Sequence, residues 1–310
     1  MTPLKHLKPK RLFELVNLSA EIAETRANDA ASLTFMARPF IQATLPHRDP
    51  GLVPEWHRKN GNLTLSIRPG WAKNPLTGLQ MPIGIPFGTI PRLIILWMTS
   101  EAKKTGNKKL YLGESLAKFM SDIGLNYSTG GGKRSDFARL KDQMRRLLRC
   151  TISFDTPLHN HWLDLSVTYC GKLNWDQNTK PSPDESGILN NRENSWIQLS
   201  DGFFDAITSS AVPLDMRIIH ELKQSPLALD LYAWITHRTY SNFAEDSRKS
   251  SSFVPWKYLH DQFGSNYSSS KDFKKKIKEI LKVVQSLSQN NCIQAGRGGL
   301  YISPKLTRLK

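Results

Sequence analysis

Cysteine is scarce in this chain. The three present, Cys150, Cys170 and Cys292, stand far apart, and no Cys-x-x-Cys pair occurs. That spacing argues against a zinc ribbon or a dithiol redox motif, so neither a metal nor another cofactor is expected. An odd count suits a reducing cytoplasm. Long apolar runs are missing as well. The longest, around Leu93 to Met98, is far too short to span a bilayer. The basic segment Met1 to Arg11 leads into an amphipathic stretch and not into an apolar leader, which predicts a cytoplasmic protein with no membrane partner. Negative charge is in deficit: 27 Asp and Glu face 43 Lys and Arg, a net charge of +16. Such a balance favours an acidic partner, nucleic acid above all.

What is present is enough for two domains. With 310 residues and 39% apolar content, the chain can bury a substantial core without disulfide or metal staples. Residues 1–34 read as a basic tip and a helix from Leu12 to Ala27, either a free arm or a helix packed on the first domain. Residues 35–90 are rich in Pro and Gly, and Asn62 to Arg68 alternates apolar and polar as a half-buried strand does. Thr89 can cap the next helix, with Pro91 in its first turn and Leu93, Ile94, Leu96 and Trp97 facing a core. Residues 174–192 hold turn formers and read as a linker. Ser225 and Pro226 then open a helix that is apolar around most of its girth.

Two stretches repeat one pattern. In the first, Leu116, Phe119, Met120 and Ile123 mark a short helix that stops at Gly124; a polar turn and a second helix from about Arg134 to Arg149 follow. Strands are expected at Thr151 to Phe154 and at Leu163 to Leu173. In the second, Trp256, Leu259, His260 and Phe263 mark a short helix that stops at Gly264. A long helix from Lys271 to Ser288 and a hairpin turning at Gly296 to Gly299 come next. Both short helices are followed by Asn-Tyr-Ser, and Asp-Phe opens both long ones, at Asp136-Phe137 and Asp272-Phe273. Helix, turn, helix and hairpin in that order predict an α+β protein of tandem winged-helix domains, residues 35–195 and 205–310.

Charge follows the repeat. Seven cations face two aspartates between Lys133 and Arg149, and ten face two carboxylates over residues 271–310. At 100° per residue, Lys271, Lys275, Lys278 and Lys282 lie opposite the Phe273, Ile277 and Leu281 stripe. Arg139, Asp142, Arg146 and Arg149 likewise lie opposite Phe137, Leu140 and Met144. The outward face of the second helix is where DNA phosphates and base edges would lie. The candidate DNA-binding residues are therefore Lys133, Arg134, Arg139, Arg146, Arg149, Ser268, Lys271, Lys275, Lys278, Lys282 and Arg297, the last on the wing turn. An exposed helix face is commonly charged, but ordinary faces mix signs more evenly than these.

Longer segments resemble the plasmid-encoded replication initiators of the RepA family. They are Gly84 to Gly88 with Ile90 to Trp97, Leu112 to Phe119, Arg139 to Leu147, Leu199 to Phe204, and Val212 to Asp215 with Ser225 to Ile235. The resemblance spans roughly residues 40–305. It implies binding to direct repeats at an origin in double-stranded DNA, local duplex opening, and recruitment of host helicase and polymerase machinery. It also implies repression of the initiator's own gene and a switch between homodimer and monomer. A transcriptional repressor of the same fold is the alternative.

Two catalytic readings are set aside. His159-Asn-His161 invites a rolling-circle nuclease, but that needs a hydrophobic residue between its histidines on a strand, and this segment reads as a wing turn. An HNH nuclease would need a ββα metal fold, which the surrounding residues do not suggest. Gly130-Gly-Gly-Lys133 hints at a phosphate loop, yet Tyr127 stands where its first glycine belongs and Arg134 where Ser or Thr should follow the lysine. A non-enzymatic protein is expected. Trp97, Trp234 and Trp256 sit on apolar stripes and are assigned to the core.

Overall fold

A helix that is apolar on every side is stable only when other elements surround it. Ile90 to Met98 is such a stretch but for Arg92, and every one of its residues is buried. The computed structural model that places it describes residues 9–25, 32–74, 76–113, 115–125, 135–156, 161–173, 195–244, 252–264, 267–288 and 292–303. The helices are α1 (Pro9–Thr25), α2 (Arg38–Gln42), α3 (Thr89–Thr105), α4 (Leu116–Asp122), α5 (Asp136–Arg149), α6 (Asp201–Thr208), α7 (Met216–Leu222), α8 (Pro226–Ala244), α9 (Trp256–Phe263) and α10 (Ser270–Ser288). The strands are β1 (Leu33–Ala37), β2 (Trp56–Asn60), β3 (Leu63–Arg68), β4 (Trp71–Lys73), β5 (Gln80–Pro82), β6 (Lys109–Tyr111) and β7 (Thr151–Thr156). They continue with β8 (His161–Ser166), β9 (Thr168–Leu173), β10 (Ser195–Leu199), β11 (Ala211–Asp215), β12 (Ser252–Pro255), β13 (Ile293–Ala295) and β14 (Gly299–Ile302). No described helix is long and apolar enough to cross a membrane.

The result is a mixed α+β architecture of small antiparallel sheets around two central helices, α3 and α8. The sheet orders are β1-β11, β2-β3-β7-β8, β4-β5, β6-β10-β9 and β12-β14-β13. Local signals set the helix ends. Gly106 ends α3 in the left-handed conformation at φ 67°. Ser225 accepts the Ala228 amide at the start of α8, and Ser200 caps α6. Trp97, Trp234 and Trp256 are all buried. Thr89 is not the cap: that position falls on Gly88, at φ 79° and without a side-chain hydrogen bond. The Gly88 carbonyl accepts Arg92 Nη1 at 2.5 Å.

One core runs through the whole described chain. β1 pairs with β11 over Leu33 to Ala37, so a strand from the first 40 residues completes a sheet of the second half. Ser100 Oγ on α3 meets the Thr34 hydroxyl and the Phe35 amide, each at 2.8 Å, and ties that strand to the central helix. The helix expected within residues 1–34 forms as α1. It lies against α10, burying Leu15 and Ile22, and Ser19 Oγ donates to the Ser286 carbonyl at 2.7 Å.

The two central helices are joined by a buried ionic cluster. Arg92 on α3 holds Asp230 on α8 in a two-pronged pair, Nε to Oδ1 at 2.7 Å and Nη2 to Oδ2 at 2.8 Å. Its remaining N–H groups donate to the carbonyls of Leu45, Pro46 and Gly88. His47 Nε2 meets Asp230 Oδ2 at 2.8 Å. Burial pushes the Asp230 carboxyl up, but the Arg92 charge and the hydrogen bonds from His47 and Arg92 outweigh it and hold its pKa at about 2. Arg58 on β2 is buried as well and donates to the Gln262 carbonyl at 2.8 Å, while the Gln262 amide reaches the Gln42 carbonyl at 2.9 Å.

Removing one member of such a pair leaves a buried charge without its partner, which typically costs about 3–5 kcal/mol. Asp230→Ala should therefore remove a large share of a total stability of roughly 5–15 kcal/mol, read as a lower urea midpoint. Acid should also destabilise the fold. Burial, followed by the charges of Arg38 and Arg238, lowers His237 to about 4, and burial lowers His47 and His220. Between those folded values and the ordinary 6.5 the unfolded chain binds protons that the folded chain refuses. Tm should fall as pH drops from 6.5 towards 4, and a flat profile over that range would contradict the burial of these rings.

Candidate nucleic-acid interface

The second helical pair is built around Phe273. β12 leads into α9, whose Trp256, Leu259 and Phe263 face inward. Gly264 ends α9 for reasons of space: a Cβ there would stand 2.6 Å from the His260 carbonyl oxygen. The chain turns back as the Tyr267 amide donates to the Gly264 carbonyl and His260 Nε2 meets the Tyr267 carbonyl at 3.1 Å. The His260 and Tyr267 rings pack edge-on against Phe273, at 5.1 and 5.7 Å. Ser269 then accepts the Asp272 amide, and α10 begins.

α10 buries Phe273, Ile277, Ile280, Leu281 and Val284, the stripe expected from its periodicity. The opposite face holds Lys271, Lys275, Lys278 and Lys282, all exposed. Along the axis they span about 16 Å at 1.5 Å per residue. Lys276 pairs with Glu279 at 3.5 Å, and Lys278 Nζ lies 5.9 Å from the Trp256 ring. Lys271, Lys275 and Lys282 form no ion pair with a described carboxylate. After α10 comes the β13–β14 hairpin, with Arg297 exposed at its turn and the Gly296 amide donating to the Gly299 carbonyl. Gly299 must be small, because a Cβ there would lie 2.1 Å from the Val254 carbonyl oxygen across the sheet. Ser268 is exposed in the turn before α10.

The first helical pair follows the same order with different surroundings. Ser115 caps α4 and Ser135 caps α5, each accepting an amide three residues on. Gly124 has φ +77°, as a helix stop requires, and its carbonyl accepts Lys223 Nζ. Lys133 and Arg134, the Thr129 to Arg134 turn and His159 lie outside the described residues, while His161 opens β8. The hairpin β7–β8 joins β3 rather than the strand that precedes α4. That strand, β6, meets β10, which stands between it and β9.

α5 is also rotated from the expected setting. It buries Leu140, Gln143, Met144, Leu147 and Leu148, while Phe137 is only half-buried. Gln143 Oε1 accepts the Phe87 amide at 2.8 Å and so belongs to the inner face. Arg146 is drawn inward with it. Its side chain is 16% exposed, pairs with Asp142 at 2.9 Å, donates to the Ile85 carbonyl at 3.2 Å and lies over the Phe87 ring. Arg139 is exposed and paired with Asp136 at 3.0 Å. Arg149 is exposed, and so are Lys141 and Arg145, which the helical projection had not placed on the outer face. Gln143, three residues before Arg146 and on the same side of the helix, is the residue that turns the inner face towards Arg146.

The family described as plasmid-encoded RepA protein matches residues 85–257 of this chain. No curated protein matches it. Among solved structures, the crystal structure of RctB domains 2 and 3 is similar at 11% identity and a TM-score of 0.45, covering 84% of both chains. A selenomethionine derivative of the same two domains is similar at 11% identity and a TM-score of 0.48, covering 84% of this chain and 94% of that one.

The setting of α5 makes its two neighbouring arginines unequal. Arg146→Ala removes buried packing and hydrogen bonds and should cost about 1–2 kcal/mol, whereas Arg145→Ala should stay within about 0.5 kcal/mol of the parent. Urea unfolding of the two variants measures the difference.

Proposed function

The chain belongs to the plasmid-encoded RepA protein family, and from that premise we propose that it is a replication initiator that binds duplex DNA at repeated origin sites. The observation that carries the reading is the lysine face of α10, exposed along one side and continued by Arg297 on the following hairpin. Four lysines on one helix face make point contacts with phosphates, whereas arginine pairs in two-pronged fashion with guanine. On this reading α10 supplies most of the affinity, and Arg139 and Arg149 on α5, with Arg145 beside them, supply more of the discrimination.

We read each helical pair with its hairpin as a winged helix, and residues 35–195 and 205–310 as the two units. The order β12-β14-β13 supports this for the second unit, because the strand before the helices pairs with the returning strand of the hairpin. The first unit departs from it through the insertion of β10. The protein acts without catalysis of its own, in the cytoplasm, so that duplex opening draws on binding energy. Host helicase and a second copy of the chain are its protein partners, and repression of its own gene follows from binding near the origin.

Maintenance of a plasmid carrying only the cognate origin, with the protein supplied in trans, tests the reading. A protein that binds the site but fails to maintain the plasmid is a repressor. Lys275→Ala/Lys278→Ala should weaken binding to every duplex and reduce the slope of log K against log salt by about two units. Arg139→Ala should relax preference at one base position by about 1–3 kcal/mol, leaving the salt slope nearly unchanged. Fluorescence anisotropy across a salt series reads both.

A further inference from the structure

The β4–β5 hairpin turns its apolar side chains outward. Of its strand residues Ala72 is buried, but Trp71 is 60% exposed and Met81 43%, while Leu79 and Leu76 in the turn reach 66% and 94%. Apolar groups grouped on one projecting element mark a surface that something else covers. Hydrogen bonds also cross its turn. Asn74 Oδ1 accepts the amides of Leu76 at 2.9 Å and Thr77 at 3.4 Å. The Asn74 amide donates to the Leu79 carbonyl and the Gly78 amide to the Asn74 carbonyl, both at 2.8 Å. Gly78, at φ +69°, closes the turn. Leu76 is thus presented on a hydrogen-bonded turn.

The base of the hairpin is pressed against the last turn of α5. The Ile83 amide donates to the Gly70 carbonyl at 2.9 Å. Gly70 has no room for a side chain, since a Cβ there would stand 2.3 Å from the Arg149 carbonyl oxygen. Arg149 Nη1 reaches towards the Trp71 carbonyl at 3.5 Å. The projecting tip therefore extends from the end of α5 that bears Arg145 and Arg149. Trp71 and Lys73, two apart on one strand, share a face and are both exposed. From Trp56 to Ser100 the chain has five Lys and Arg and no Asp or Glu. An apolar tip rimmed by cations, with carboxylates absent from 45 consecutive residues, matches the chemistry of a base stack between two phosphate strands.

We propose that this hairpin is a wedge that enters the duplex held by α5. Leu76 lodges between two stacked base pairs, Leu79 and Trp71 lie against the opened groove, and Lys73 meets a flanking phosphate. Apolar side chains used in this way unstack a base step and kink the duplex. Pyrimidine–purine steps such as TA yield most readily, so the wedge favours opening at such a step. The inference rests on the DNA-binding reading above and names the part of the chain that converts binding into local distortion.

The test uses the full-length protein and a duplex that it recovers from a random-sequence pool, resynthesised with 2-aminopurine at successive positions. The parent protein should raise 2-aminopurine fluorescence at one step, where permanganate should also attack neighbouring thymines. Leu76→Ser, and more completely Leu76→Ser/Leu79→Ser, should abolish both signals while binding in anisotropy stays within a few-fold. Leu76→Met should keep them. Unchanged fluorescence and permanganate reactivity in the double variant overturns the wedge. So does loss of a dimer by that variant in sedimentation with distortion intact, which would make the tip a self-association surface. Failure of the parent protein to bind any duplex overturns the DNA-binding reading itself, a result separable from the first because no complex forms.

Discussion

The pair between Arg92 and Asp230 is the contact on which the rest of the described structure depends. Both groups are nearly inaccessible to water, and a buried charge is tolerated only when its partner and its hydrogen bonds replace the lost solvent. Arg92 meets that condition by directing five N–H···O contacts to Asp230 and three carbonyls, and Asp230 by accepting from Arg92 and bonding His47. Geometry follows from this. A two-pronged pair has one good arrangement, so α3 and α8 are fixed in rotation as well as in distance. α5 packs on α3 and α10 packs on α8. α5 and α10 are therefore both referred to this pair of helices.

The halves of the chain are interleaved rather than strung in series. β1 completes β11, α1 covers α10, and Arg58 and Gln262 join β2 and the end of α2 to α9. A cut near residue 200 would leave β11 without its partner and the α1 side of α10 open to water. The two helical units can thus resemble each other in element order while depending on each other for stability. This also explains why the first unit departs from the second: its hairpin strand β7 is claimed by β3, and the place beside β6 is taken by β10.

How much was legible in the chain depends on whether a signal is local. The stripe Phe273, Ile277, Ile280, Leu281 and Val284 named the buried face of α10, because helical periodicity needs no tertiary information. Gly124 and Ser225 marked helix ends for the same reason. β12 escaped notice, being four residues that include Pro255, too short for alternation to register. The pairing of β1 with β11 joins residues about 180 positions apart, and no local pattern encodes it. On α5 the projection placed Arg146 outward because it ignored Gln143, a polar residue that turns inward to accept the Phe87 amide.

The same division separates what each level of description settled. Composition, periodicity and capping determined an α+β chain with a strong cationic excess, two helical pairs each followed by strands, and a lysine face on the last long helix. Those features arise from residues within a turn or two of one another. Tertiary structure alone decided that α1 belongs with α10, that Arg146 is structural while Arg145 is free to face outward, and that an arginine and an aspartate inside two apolar helices are partners. A charge in an apolar run is ambiguous until its counter-charge is located, and here that counter-charge lies 138 residues away.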